Sequence, residues 1–458
     1  MILAVDVGED RLSYGFHLIL QAIRAKYGNI VQYVKNEDLD KVNVSSYKIV
    51  LFSFMFIENY LHVNSLLKKL NLTEQIKIAG GQPITENPEP VKYFFDILVL
   101  GEGETAIIDV LDIVFRYNFD KQCLGEVNTI DCVIVPSMGV KAVKIRKENI
   151  DNAVRLAGNY ERGDGSTSEI LFEYERGCKR RCHFCSYGNM QYPYRQISTE
   201  LFREKMSEQS KLIHGGMRIL PMQVNFFHYD IDDLNIMHHY GKMVNYTSAC
   251  LNDFYRYKEH IQYMRNLYLR IGIEDFTEEG RKRIGKPVSD NEIINLPLFF
   301  KGIGKRVKLF FISHLPLQSA ESVQSFEAVL NEMSKRISNT WIVEIYVTTL
   351  TYKLNCKKML KYEKIYNDGV VRAINNLQRR YNNKLQIKVF KNQSRAVFEL
   401  YNALSLSDSN LYEVLNNITG KEKKEVIVDR ISKKINLDDL FSAYDENRTL
   451  PNYYVNYG

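Results

Sequence analysis

The chain has 458 residues, 61 Lys and Arg against 55 Asp and Glu for a net charge of +6, and 45% hydrophobic residues. That length exceeds what one hydrophobic core organises, so two to four domains are expected, and the mild, dispersed charge excludes a strongly basic nucleic-acid binder. No apolar run approaches the roughly 20 residues that span a bilayer, and residues 1–6 lack the basic segment of a secretory signal.

Strand signals at 2–7, 31–34, 49–54, 76–79 and 97–100 alternate with amphipathic helical stretches at 16–26, 60–70 and 105–115. This alternation predicts a doubly wound, Rossmann-like parallel sheet over residues 1–120. No G-x-G-x-x-G follows the first strand, which disfavours a dinucleotide site. Instead the ends of the third, fourth and fifth strands carry Ser53-Phe54-Met55, Gly80-Gly81-Gln82-Pro83 and Gly101-Glu102-Gly103-Glu104. Open sheets bind ligands at the carboxyl ends of their strands. Adjacent glycines there let a large flat ligand approach the backbone.

A connector follows at 121–165, with a strand pair at 132–135 and 142–145. The strand-like stretch 170–174 then delivers Cys178-Lys-Arg-Arg-Cys182-His-Phe184-Cys185. Three thiolates in one tight loop supply three ligands and leave one coordination position open; on a four-iron cluster that means one free iron. A structural zinc site draws four ligands, usually from two separated pairs. Here there is no second pair, and His183 would have to be the fourth donor. Cys123, Cys132, Cys250 and Cys356 are scattered, as expected of reduced core thiols in a cytoplasmic protein; Cys250, at a strand end, is also a candidate neighbour of the site.

Apolar runs at 223–228, 245–249, 268–273, 307–312 and 342–347, alternating with helices, predict a partial (β/α)6 TIM-type barrel over 166–350. Function in such barrels sits at the carboxyl ends of the strands. Asn225, His228, Asp230 and His314 fall at those ends, as binding groups, helix caps or packed side chains. Residues 351–458 read as a smaller α-rich domain with helices at 394–404 and 411–417 and a substrate or capping role. Its terminal tyrosines, Tyr444, Tyr453, Tyr454 and Tyr457, would stack on substrate or pack at the edge.

The cysteine loop, with Phe184 just before the third cysteine, resembles the cluster loop of the radical S-adenosylmethionine (radical SAM) enzymes. The motifs at Ser53, Gly80-Gly81 and Gly101–Glu104 resemble the cobalamin-binding domain that precedes many of them. Arg270-Ile-Gly-Ile-Glu274 is similar to that family's fourth barrel strand. Ser313-His314-Leu-Pro316-Leu317 resembles its Gly-Leu-Pro-Gly segment, with His314 and Leu317 replacing the two glycines and placing the adenine-side contacts in doubt. The resemblance implies a 4Fe-4S cluster on Cys178, Cys182 and Cys185, and S-adenosylmethionine contacts at Phe184, Gly188, Glu274 and Ser313. It implies a cobalamin held by Leu12, Tyr14, Gly15, Ser53, Phe54, Met55, Gly80, Gly81, Gln82, Pro83, Gly101, Glu102, Gly103 and Glu104. Cobalamin domains that ligate cobalt carry Asp-x-His-x-x-Gly, and here Asp10-Arg-Leu12-Ser-Tyr-Gly15 puts an unligating leucine at that place; His17 and Tyr14 are the alternative donors nearby.

The implied activity is that of a cobalamin-dependent radical C-methyltransferase, in which a 5'-deoxyadenosyl radical abstracts a substrate hydrogen and methylcobalamin supplies the methyl group. Ring contraction or cyclisation without methyl transfer is the alternative within the family, and a non-catalytic cofactor-binding protein the alternative outside it. A peptide side chain or small molecule is favoured over nucleic acid as substrate. A ferredoxin or flavodoxin is expected as electron donor, and no membrane partner.

Overall fold

The apolar run Ile49–Phe54 forms the middle of a six-stranded sheet because both of its faces are covered. Strands buried on two sides read as near-continuous hydrophobic segments. The computed structural model describes residues 1–8, 12–139, 141–156, 169–212, 218–222, 224–225, 228, 232–233, 236, 239, 248–256, 268–299, 306–337, 342–356, 366–381, 387–392, 394–445 and 455–456. In the sheet, Val31–Tyr33, Ile2–Asp6, Ile49–Phe54, Ile76–Gly81 and Ile97–Val99 run parallel in that spatial order, and Val133–Ile134 adds an antiparallel edge. The five parallel strands start within a residue of the expected positions.

Helices Tyr14–Tyr27 and Ala106–Arg116 cover one face through Phe16, Leu20, Ile23, Ile107, Val110 and Leu111. The other face takes Leu66 and Leu70 of helix Val63–Leu70. It also takes Leu400, Leu404, Leu411, Leu415, Ile427 and Ile431 from the carboxyl-terminal helices Arg395–Leu406, Leu411–Leu415 and Lys424–Ser432. Side-chain amides fasten the junction. Asn87 Nδ2 donates to the carbonyls of Ser405 and Ser407 at 3.1 and 2.8 Å, and Asn64 Nδ2 to those of Asn416 and Ile418 at 2.8 and 3.0 Å. The expected boundary between a 1–120 domain and a separate 351–458 domain therefore does not describe the packing. The last helices complete the first core, and an amphipathic helix does not name its partner in sequence.

The second half is parallel as well. Glu169–Glu173 pairs with Arg218–Met222, and Ser248–Ala249, Tyr268–Glu274, Arg306–Ser313, Ile342–Thr349 and Ile387–Asn392 form a five-stranded sheet. The strand expected at 223–228 lies earlier, at Arg218–Met222, and contains Pro221, a weak strand former. Ile387–Asn392 belongs to this sheet although the sequence reading assigned it to the carboxyl-terminal domain. Helices Asp290–Phe299, Ala320–Ser334 and Asp368–Tyr381 pack outside, with Phe326, Leu330, Ile374 and Leu377 against Ile271, Leu309, Phe311 and Ile345. No helix among the described residues is long and apolar enough to cross a membrane.

Candidate active site

The cysteine loop leaves the end of the strand Glu169–Glu173 and is pinned by a short ribbon, Glu175–Arg176 against Arg195–Gln196. Gly177, at φ 83°, makes the turn; a Cβ there would lie 2.5 Å from the Gln191 carbonyl, so glycine alone fits. Cys178 and Cys182 are buried and Cys185 is half-buried at the start of helix Ser186–Met190. Main-chain N–H groups point at the sulfurs: Arg180 N–H donates to Cys178 Sγ at 3.3 Å and Gly188 N–H to Cys185 Sγ at 3.4 Å. Burial pushes the thiols up, Cys178 to about 12 and Cys182 to about 11, while the Lys286 ammonium pulls Cys182 and Cys185 back down. As free thiols they hold their protons, and a metal would displace them.

Among the described residues no three His, Cys, Asp or Glu side chains are gathered as a preformed metal centre. The fit to a cluster rests on the donor set: three thiols on one loop, mutually perturbing, with N–H donors and a buried cation to stabilise thiolate charge. Phe184 packs against the apolar cluster that contains Ile284, Leu315 and Phe398.

Lys286 was not foreseen as a site residue. Its Nζ lies 2.6 Å from Glu274 Oε1, both side chains being nearly buried. Burial would lower the ammonium's pKa, but the Glu274 carboxylate outweighs it and holds the group charged. Glu274 itself stands at φ 73°, where the pairing of Tyr268–Glu274 with its neighbour skips Ile273. A bulge of this kind re-aims a side chain. Gly272 leaves the room required: a Cβ there would lie 2.0 Å from Glu274 Oε1 and 2.3 Å from Lys286 Nζ.

Cys250 sits beside this pair, its pKa raised by burial and lowered by Lys286 and Arg180. Its N–H donates to Asn225 Oδ1 at 2.9 Å, Asn225 Nδ2 donates to Asp253 Oδ2 at 2.7 Å, and Arg180 pairs with Asp253 at 3.2 Å. His228 Nδ1 meets Glu175 Oε2 at 2.8 Å. Ser313 Oγ is engaged by His314 Nδ1 at 2.8 Å and donates to the Thr348 carbonyl at 3.3 Å. His314 and Leu317 both stand in the left-handed backbone region, at φ 65° and 62°, where glycine is ordinarily favoured. Asp230 and the tyrosines at 453, 454 and 457 lie outside the described residues, as do Asp10 and Arg11.

A cavity of about 580 Å³ opens between the strand ends of the first sheet and the cysteine-bearing segment. Tyr14, Gly15, Ser53, Phe54, Met55, Gly80, Gly81, Gln82, Gly101, Glu102, Gly103 and Glu104 line it from the first sheet. Leu12 and Pro83 do not: Leu12, half-buried, packs against the core beside it, and Pro83 is buried in the short helix Gln82–Glu86. His17 is buried in its helix and is likewise no part of the wall. The opposite wall, which sequence reasoning missed, is Glu173, Glu175, Arg176, Tyr187, Gln191, Met222 and Val224. Only the adjacency of residues 173–191 to the cysteines could have flagged it.

The glycines serve the wall itself. Gly81 stands at φ 115° with its Cβ position 2.1 Å from the Phe54 carbonyl, and Gly101 at φ 94° with its Cβ position 2.4 Å from that of Arg146. Gly80, by contrast, has ordinary space. Ser13, also in the wall, is anchored by Asp6, which accepts from its N–H at 2.9 Å.

Arg176 joins the two sides. Its guanidinium contacts Glu102 at 2.9 Å, Glu104 at 2.5 Å and Glu173 at 2.9 Å, with Arg176, Glu102 and Glu104 buried and Glu173 nearly so, and Arg195 adds two bonds to Glu102 at 2.6 and 3.0 Å. Burial opposes ionisation of Glu102, yet Arg195 and Arg176 prevail and hold its pKa below the ordinary value. Tyr14 is pushed well above its usual range by burial and by the Glu173 carboxylate, so its phenol stays protonated. An apolar cavity rimmed by carboxylates, Gln82 and Gln191 suits a flat macrocycle with amide-tipped side chains.

Residues 40–136 match the family model described as "Radical SAM proteins, N-terminal". Across 97% of its length the chain superposes on 78% of the cobalamin-dependent S-adenosylmethionine radical enzyme OxsB with aqua-cobalamin and S-adenosylmethionine bound, with TM-score 0.52 and 13% identity. The selenomethionine-labelled apo form of OxsB gives a TM-score of 0.51, also at 13% identity, over 97% of this chain and 79% of that one. The chain thus has the fold of a cobalamin-dependent radical SAM enzyme. Two curated relatives come from Methanocaldococcus jannaschii. The uncharacterized protein MJ0966 is 24% identical over 72% of this chain and 74% of its own length, and the uncharacterized protein MJ1620 21% identical over 87% and 88%.

Proposed function

We propose that the protein is a cobalamin-dependent radical SAM enzyme that transfers a methyl group to an unactivated carbon. One observation carries the reading: the wall of the 580 Å³ cavity joins the three strand-end motifs of the first sheet to the segment that bears Cys178, Cys182 and Cys185. A ligand in the cavity would lie beside whatever the thiols hold. A cluster on the three cysteines would supply the electron for reductive cleavage of S-adenosylmethionine, and a cobalamin in the cavity a transferable methyl group.

The chain's own residues bind and orient. Cys178, Cys182 and Cys185 are the cluster ligands, with the Arg180 and Gly188 N–H groups and the Lys286 ammonium supporting thiolate charge. Glu274, turned inward by the bulge, offers a carboxylate for an ammonium group, and in the protein as it stands Lys286 fills that role. Tyr14 stays protonated and Leu12 has no donor atom, so neither would ligate a metal in the cavity. Arg176 fixes the distance between the two sides.

Anaerobic reconstitution with iron, sulfide, hydroxocobalamin and S-adenosylmethionine tests the reading. The expected result under reduction is 5'-deoxyadenosine together with S-adenosylhomocysteine, and a substrate mass gain of one methyl. Formation of 5'-deoxyadenosine with the true substrate but without S-adenosylhomocysteine would favour a rearrangement instead.

A further inference from the structure

If the cysteines hold a cluster, as proposed above, an electron must reach it from outside. Toward the carboxyl-terminal helices the loop is covered by Phe184 and its apolar neighbours, and toward the first sheet Tyr187 faces the cavity. Among the residues of the loop itself, Lys179 and Arg181 are exposed, each one residue from a buried thiol.

These two cations are set apart from the others nearby. Arg180 is matched by Asp253, and Arg176 and Arg195 by Glu102. Among the described residues neither Lys179 nor Arg181 is ion-paired to a carboxylate. They lie over aromatic rings: Lys179 Nζ is 4.8 Å from the centre of Tyr194, and the Arg181 guanidinium carbon 4.5 Å from that of Tyr192. Tyr192 is 41% exposed and Pro193 is exposed beside it. Lys179 Nζ also donates to the His228 carbonyl at 3.5 Å and Arg181 Nε to Asn189 Oδ1 at 3.4 Å, both uncharged acceptors, so rings and acceptors hold the two cations in place without neutralising them. A small patch with unneutralised positive charge and a flat aromatic rim matches the weak, salt-sensitive encounters typical of electron-transfer pairs.

We infer that the face formed by Lys179, Arg181, Tyr192 and Pro193 is the docking surface for a small acidic one-electron donor protein of the flavodoxin or ferredoxin class. The donor loses one electron and the cysteine-loop site gains one; no bond is made or broken.

The test is anaerobic stopped-flow reduction of the reconstituted protein, followed by loss of visible absorbance, with a photoreduced acidic flavodoxin or with dithionite. For the wild type, flavodoxin-driven reduction slows as salt rises, whereas dithionite-driven reduction changes little. Lys179→Glu with Arg181→Glu slows the flavodoxin reaction roughly tenfold or more and removes its salt dependence, leaving iron content and the dithionite rate intact. Lys423→Glu, an exposed charge on the carboxyl-terminal helices, leaves both rates unchanged. Should the double variant lose iron, Lys179→Gln with Arg181→Gln replaces it, and the wild-type salt series stands without any substitution. A flavodoxin rate insensitive to salt and to these changes overturns the docking assignment. Absence of iron, or no reduction by dithionite, instead overturns the cluster reading and the docking assignment with it.

Discussion

Glu274 and Lys286 form a nearly buried pair against the cysteine loop, and removing one partner leaves an uncompensated charge. Lys286→Met is expected to cost about 3–5 kcal/mol in urea unfolding of the metal-free protein, and adding Glu274→Gln to recover most of it. Additive effects in that double-mutant cycle would refute the coupling. Single alanine substitutions of Cys178, Cys182 or Cys185 should each leave the reconstituted protein short of iron and unable to form 5'-deoxyadenosine, with the circular dichroism spectrum unchanged. His314 gives a pH signature. Burial depresses its pKa from 6.5 to about 4, against weaker opposing effects of a backbone hydrogen bond at Ser313 and of Asp368, and its Nε2 is buried without a hydrogen-bond partner. Between those values the unfolded chain takes up the proton and the folded one does not. Stability is therefore fully present above pH 6.5 and falls as the pH drops toward 4, by roughly 3 kcal/mol in all. His314→Leu should flatten that acid limb; an unchanged limb would assign it to other groups.

At the scale of elements, strand ends and tight turns decide whether the cavity exists. Gly81→Ala or Gly101→Ala places a methyl group into a neighbouring carbonyl at a left-handed φ. Each is expected to destabilise by at least about 1–3 kcal/mol and to abolish retention of cobalamin on gel filtration, whereas Gly80→Ala, with ordinary space around it, should retain the corrin. The parallel strands of the first sheet and most of those of the second were legible because each is a short apolar run bounded by turn residues, as at Ile49–Phe54. The strand with Pro221 was misplaced because proline and the neighbouring polar residues mask the pattern. The cavity's near wall was readable from Ser53, Gly80-Gly81 and Gly101–Glu104, three motifs at strand ends. The far wall was not: Glu173, Tyr187 and Met222 are brought together by packing, and no spacing in sequence announces it. Lys286 was hidden for the same reason, since the bulge that turns Glu274 toward it leaves no trace except Gly272.

For the whole molecule, the carboxyl-terminal helices are the notable feature, since they complete the core of a sheet formed by the first hundred residues. Leu404→Ala, in the middle of that contact, should cost about 2–5 kcal/mol. The amino-terminal sheet should lose hydrogen-exchange protection along with the helix. Protection lost in the helix alone would show that the two are not one cooperative unit.

The bridge made by Arg176 has a thermodynamic consequence. One guanidinium, two residues from Cys178, is shared among Glu102 and Glu104 on the corrin side and Glu173 on the other. A shift of that side chain on loading one site would be felt at the other, and the two occupancies would then be linked. Linkage is reciprocal: whatever factor iron loading applies to corrin affinity, corrin must apply to iron affinity. Equal factors in the native protein, both falling to unity in Arg176→Gln, would make this residue the governor of the order in which the apoprotein fills.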